Sequence, residues 1–220
     1  MIVAKPKPFE EVVDMLGDFS RVLVAGCGTC VAVCLAGGEK EAGILASQLQ
    51  LVFRDRDFKS FAATVERQCD REFLTLLRDQ VAQADAVVSL ACGAGIQFIA
   101  EMYPDKPVFP GVDTSFIGVN EGAGIWGERC KACNQCYLGL TGGICPVTMC
   151  AKSLLNGPCG GPSNGKCETS PDRDCAWVKI VERLKSQSRL DILAKITPPR
   201  DFRLSEHPAK LVREDYQRRF

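Results

Sequence analysis

Apolar positions in the first half of the chain follow two alternating periods. Phe9, Val12, Val13 and Leu16 recur at helical spacing within residues 8–17, with Pro8 placed to open the segment and Gly17 to close it. Arg21 to Ala25 (Arg-Val-Leu-Val-Ala) then reads as a buried strand that leads straight into Gly26-Cys27-Gly28-Thr29-Cys30. A helical segment over residues 38–51 follows, with Ile44, Leu45, Leu49 and Leu51 predicted to face the core. The unit repeats. Residues 60–65 predict a second strand, ending in Glu66-Arg67-Gln68-Cys69-Asp70, and a helix over 71–82 carries Phe73, Leu76, Leu77 and Val81. Residues 85–90 predict a third strand, ending in Ala91-Cys92-Gly93-Ala94-Gly95, before a helix over 96–102 and a short strand at 107–109. Strands alternating with helices predict an α/β fold with a parallel sheet covered on both faces, here a small Rossmann-like domain over residues 1–125.

Beyond this point the periodicity breaks down. Residues 110–128 are punctuated by Pro110, Gly111, Gly118, Gly122, Gly124 and Gly127 and read as a connection to a second, smaller lobe over residues 126–198. In that lobe Pro146 is placed to open a short helix from residue 146 to 155, with Cys150 on it. A longer helix is predicted over 171–186, with Ser170 as N-cap, Pro171 at the first helical position, and Trp177, Val178, Val181 and Leu184 on one side. Pro198-Pro199 end the ordered lobe, and residues 199–220 read as a polar tail, a solvated or partner-binding arm. So small a lobe cannot bury enough apolar surface to fold on that alone.

Cysteine usage supplies what is missing. The chain of 220 residues has thirteen cysteines and a single histidine, His207. No secretory signal or long apolar run is present, so the expectation is a cytoplasmic protein with metal sites rather than disulfides. Basic and acidic residues balance at 27 each, which argues against a nucleic-acid partner or a charged membrane surface. Thiolates with almost no imidazole select zinc or iron–sulfur clusters. Cys130, Cys133 and Cys136 follow C-x2-C-x2-C, and Cys145 precedes Pro146, the ligand grammar of a ferredoxin-like iron–sulfur site. Cys150, Cys159, Cys167 and Cys175 complete a set of eight, whose pairing into sites the spacing leaves open; a zinc ribbon is the alternative for either site.

A third group lies upstream. Cys27, Cys30 and Cys34 sit on a glycine-rich loop, and Cys27, Cys69 and Cys92 each fall at the C-terminal end of a predicted strand, the edge where open parallel sheets collect ligands. Zinc or a further [4Fe-4S] cluster is expected there, with Cys69 or Cys92 as the fourth ligand. Competing readings are a buried small hydrophobe for Cys69 or Cys92 and a redox dithiol for Cys27 and Cys30. A dinucleotide fingerprint would need its third glycine where Val31 stands. Three sites of four cysteines would use twelve and leave one over.

Several strings carry a resemblance: Cys130-Lys131-Ala132-Cys133-Asn134-Gln135-Cys136, Thr141-Gly142-Gly143-Ile144-Cys145-Pro146, Ser153-Leu154-Leu155-Asn156-Gly157-Pro158-Cys159-Gly160-Gly161 and Asp174-Cys175-Ala176-Trp177. Together with residues 26–39, 65–70 and 90–95 they resemble the methylenetetrahydrofolate reductase C-terminal domain family and look like its stand-alone MetV-type subunits. The resemblance implies a non-catalytic electron-transfer subunit with two [4Fe-4S] clusters in the cysteine-rich lobe. It also implies an electron-donor protein and a MetF-type partner that alone carries the flavin and reduces 5,10-methylenetetrahydrofolate to 5-methyltetrahydrofolate, in the methyl branch of the reductive acetyl-CoA pathway. A zinc-stabilised structural or assembly module without redox role is the alternative.

Overall fold

Strand β1 (Ile2–Pro6) and helix α1 (Phe9–Leu16) open the chain, and α1 buries Val12 and Leu16 between Pro8 and the left-handed Gly17. Then β2 (Arg21–Cys27) carries six consecutive buried residues, because it is central to a four-stranded sheet and covered on both faces. The computed structural model in which this is seen describes residues 1–205 and 207–217 and divides into two compact units, Met1–Gly127 and Glu128–Phe220.

In the first unit β2 is followed by α2 (Cys30–Val33), α3 (Glu39–Val52) and β3 (Lys59–Val65). Next come α4 (Arg71–Leu74), α5 (Arg78–Gln83), β4 (Ala86–Ser89), α6 (Gly93–Met102) and β5 (Val108–Pro110). The parallel sheet runs β3-β2-β4-β5. Side chains alternate across it: Val22 and Val24 join a core with Leu16, Ala42 and Leu49, while Leu23 and Ala25 join Leu74, Leu77, Val81 and Ile99 on the other face.

Several expectations need correction. On α3 the buried stripe is Ala42, Ala46 and Leu49, whereas Ile44 and Leu51 are 48% and 69% exposed. Two alanines let the helix lie close to β2 and β3; Leu45 packs against the same core as expected, while Ile44 and Leu51 point outward. The helix predicted over 71–82 is broken by a 3-10 turn at Thr75–Leu77, and Leu76 faces solvent. The expected connection at 110–128 is instead a hairpin of β6 (Val112–Gly122) and β7 (Ile125–Cys130), which joins β1 in a three-stranded sheet of order β1-β6-β7. Glycine punctuation concealed these strands, and β1 itself was hidden by its lysine and terminal proline.

The second unit has little regular structure. It contains α7 (Pro146–Met149), the antiparallel pair β8 (Lys166–Cys167) and β9 (Ser170–Asp174), α8 (Ala176–Ser186) and α9 (Glu214–Gln217). Its buried core is Cys175, Trp177, Ile180 and Leu184. Contrary to expectation, α7 stops at Met149, with Cys150 just beyond its end, and the chain turns left-handed at Ser153. Likewise α8 starts at Ala176, with Cys175 as its N-cap, and not at Pro171. Pairing with β8 and the bond from the Cys175 N–H to Gly165 O (2.8 Å) keep residues 170–174 extended.

Candidate metal centres

All thirteen cysteines are free thiols. Those of the first unit separate into two environments. Cys27 ends β2, Cys30 starts α2 and Cys92 caps α6, so all three stand at the C-terminal edge of the parallel sheet. Cys69 lies on the loop after β3, and because β2 pairs with both β3 and β4 this loop is adjacent to both others. The clamp is Gln68, a fully buried side chain whose amide donates to Ala25 O (2.9 Å) and Gly26 O (3.0 Å) and accepts from the Ser89 hydroxyl (2.7 Å). The Gly28 N–H donates to Val65 O at 2.8 Å, and Cys27 Sγ lies 4.0 Å from Glu66 O. Desolvation pushes the Cys69 thiol up, and the nearby thiols of Cys92, Cys27 and Cys30 act in the same direction. These four thiols therefore share one neighbourhood.

Cys34 faces elsewhere. The chain reverses after α2 through Leu35, left-handed at φ 56°, with Ala36 and Gly37 both bonding back to Val31 O. This turn buries Cys34 in the core, its Sγ 3.5 Å from the Ala4 N–H, 3.7 Å from Ala4 O and 3.5 Å from Val31 O. It packs against β1 as a small, locally bonded hydrophobe. The turn also needs a glycine at 37, since a Cβ there would meet Leu90 O at 2.0 Å.

In the second unit, four of the eight cysteines line one small pocket of about 20 Å³: Cys150, Cys159, Cys167 and Cys175, with Trp177 and Leu154 beside them. Trp177 is buried and donates to Leu154 O at 2.9 Å, and Gly157 packs so tightly on its indole that a Cβ would come within 2.4 Å. Cys167 shares a 3.2 Å hydrogen bond with the Thr169 hydroxyl, which pulls its thiol below the usual value and favours the ligating thiolate. Glu168 reaches Cys159 Sγ (3.6 Å) and pairs with Lys152. Hydrogen bonds from Lys166 and then Lys179 hold the Asp174 carboxyl at about 2, pinning β9 to β8 and α8 just before Cys175.

Cys130, Cys133 and Cys136 form a separate loop, wound tightly by left-handed backbone at Ala132 and Asn134. The Ala132 N–H donates to Cys130 Sγ at 3.3 Å, the kind of bond that stabilises a thiolate. The segment that follows Pro199 folds back onto this loop. Asn134 Nδ2 donates to Leu204 O (2.8 Å), the Ser205 hydroxyl donates to Cys133 O (3.3 Å), and the Asp201 N–H donates to Gln135 Oε1 (3.1 Å). Upstream, Asn156 exchanges two 2.8 Å bonds with Thr197.

Among the described residues, no three His, Cys, Asp or Glu side chains are drawn in around one point as a ready metal-ligand set. The donor chemistry fits a soft metal, with thiols gathered by neighbourhood, but binding would have to pull them inward from where they stand. Sequence reasoning overlooked Gln68 and the Asp201–Ser205 strap. A glutamine inside Glu-Arg-Gln-Cys-Asp has nothing to distinguish it from solvent-facing neighbours. Its position directly before a cysteine at a strand end is the one available signal.

Residues 109–203 match the family model described as methylene-tetrahydrofolate reductase C terminal. The match takes in β6, β7, all eight cysteines of the second unit and most of the strap, and it relates this chain to methylenetetrahydrofolate reductase. Neither the curated proteins nor the solved structures give a match. Among the described residues no helix is long and apolar enough to cross a membrane.

Proposed function

We propose that this chain is an iron–sulfur electron-transfer subunit of the MetV type, without a catalytic site of its own. It would work beside a separate MetF-type flavin subunit that reduces 5,10-methylenetetrahydrofolate to 5-methyltetrahydrofolate, and receive its electrons from a donor protein. The observation that carries the reading is the set of eight free thiols inside the segment that matches the reductase family, four of them around a single pocket. We assign Cys150, Cys159, Cys167 and Cys175 to one cluster, because they share that pocket. Cys130, Cys133, Cys136 and Cys145 are left for the other, the C-x2-C-x2-C loop plus the cysteine before Pro146.

An iron–sulfur cluster held by such thiolates supplies one-electron transfer. The remaining work belongs to the chain. The Ala132 amide and the Thr169 hydroxyl supply hydrogen bonds to sulfur, which tune a cluster's potential. Trp177 and Leu154 form an apolar wall beside the second thiol group, and the strap from Asp201 to Ser205 braces the first.

Anaerobic preparation should give a brown protein with about four irons per cluster. Cys133→Ser and Cys159→Ser should each remove about one cluster's iron and slow flavin reduction in the partner subunit. A colourless protein that holds only zinc in this lobe overturns the redox reading and leaves a zinc-stabilised structural module in its place.

A further inference from the structure

We propose that Cys27, Cys30, Cys69 and Cys92 form a tetrathiolate metal site at the C-terminal edge of the parallel sheet, and that Cys34 is not one of its ligands. This site lies outside residues 109–203, the segment that the reductase family model matches.

Three loops have to be adjacent for this, and the topology makes them so. β2 is flanked by β3 and β4, whose registers set Cys27 opposite Val65 and Ala25 opposite Ser89. Neighbouring strands lie about 4.8 Å apart, so the loops that leave these three strand ends start within two strand spacings of one another. Gln68 then fixes the middle of the β3 loop by bonding to β2 through Ala25 and Gly26 and to β4 through Ser89. Cys69 is the next residue. It borders the same surface pocket as Ala94, Gln97 and Phe98 of α6, the helix that Cys92 caps. A buried glutamine spent entirely on holding one exposed loop against two strand ends is explained if that loop must present a ligand.

The choice of four among five follows from where each thiol is. Cys30 and Cys92 are half-buried and Cys69 is exposed; Cys27 is as buried as Cys34 but ends β2, with its Sγ 4.0 Å from Glu66 O on the β3 loop. All four stand on the loops or element ends of that edge. Cys34 differs: its sulfur is bonded to Ala4 and Val31 in the core on the β1 side. Removing it from the ligand list leaves twelve thiols for three four-thiol sites, and Cys34 is the thirteenth. Four thiolates without imidazole or water suit a closed site that holds a zinc ion or an iron–sulfur cluster.

The test uses the full chain, purified anaerobically, with zinc and iron measured together. Cys69→Ser and Cys92→Ser should each lose one zinc or about four irons per chain, while Cys34→Ala keeps the full complement. Retention of metal in both serine variants, or its loss in Cys34→Ala with far-UV dichroism unchanged, overturns the assignment. Zinc loss identifies a single ion, and iron loss a cluster. A second measurement needs no variant. Cys69 is exposed, so as a free thiol it would be alkylated by iodoacetamide at the same rate with or without chelator; as a ligand it should be alkylated at least ten-fold faster after chelator is added. Equal alkylation rates of Cys69 before and after chelator sink the proposal. Cys133→Ser separates the two units: it should lower iron in the second unit and leave the protection of Cys69 intact.

Discussion

Gln68 shows how much a single side chain can decide at a sheet edge. It is fully buried, with both ends of its amide engaged, and it serves no core packing that a leucine could not supply. Gln68→Leu should therefore destabilise the first unit by about 2 kcal/mol, from the buried partners it leaves without a bond. Gln68→Glu should be worse, although it is closer in shape: a carboxylate keeps the acceptor for Ser89 but turns against the Ala25 and Gly26 carbonyls and must be desolvated. Urea unfolding of the two variants checks the ranking. A Glu variant as stable as wild type would mean that the clamp is looser than its 2.7–3.0 Å bonds indicate.

At the scale of elements, the strap from Asp201 to Ser205 is the piece whose role is least obvious from its composition. Its grip on the Cys130–Cys136 loop includes three hydrogen bonds. Replacing Gln135 with Ala removes the acceptor for the Asp201 amide, and Ser205→Ala removes the donor to Cys133 O. The double variant should raise hydrogen exchange of residues 201–205 by about ten-fold, the equivalent of about 1.4 kcal/mol, while exchange in α8 stays unchanged. Equal exchange of residues 201–205 in the wild type and the double variant would show that these bonds do not hold the strap to the loop. Such an element is hard to read in advance, because residues that follow Pro198-Pro199 with mixed charge look like any solvated tail. The alternating strands and helices of the sheet were legible, since central parallel strands such as Val22–Ala25 are apolar without interruption. Hairpin β6–β7 was not, because its glycines mimic turns, and neither was β9, which is held extended by pairing and by the Lys166 and Lys179 contacts to Asp174 rather than by its own Ser-Pro-Asp-Arg sequence. For the metal sites, the sequence made the thiols visible one by one; their grouping depends on which loops tertiary pairing brings together, as the separation of Cys34 from Cys27 and Cys30 shows.

At the scale of the whole molecule, the two units differ in what holds them folded. The first buries two clusters that enclose a central sheet, with Leu16, Leu23, Leu49, Leu74, Leu77 and Ile99 all inaccessible. Among the described residues of the second, one buried cluster holds Cys175, Trp177, Ile180 and Leu184, with Tyr137, Val147 and Ala176 buried besides. Burial of a large apolar side chain contributes about 1.5–3 kcal/mol, and ordering each residue costs about 1–2 kcal/mol in backbone entropy. On those magnitudes the first core can sustain its unit, whereas the few large side chains buried in the second, Tyr137, Val147, Trp177, Ile180 and Leu184, fall short for a segment of this length, a deficit that the proposed metal cross-links would fill. Chelation of the full chain should therefore act on one unit selectively. Amide protection in α8 and in the β8–β9 pair should collapse, while protection in β2 and β4 persists at the level of the native sheet, loosened only at the edge near Cys27, Cys69 and Cys92. Hydrogen exchange read by mass spectrometry before and after chelator gives the comparison within one sample. If α8 keeps its protection after chelator is added, the second unit is held by its own buried side chains, and the proposed cross-links are not what keeps it folded.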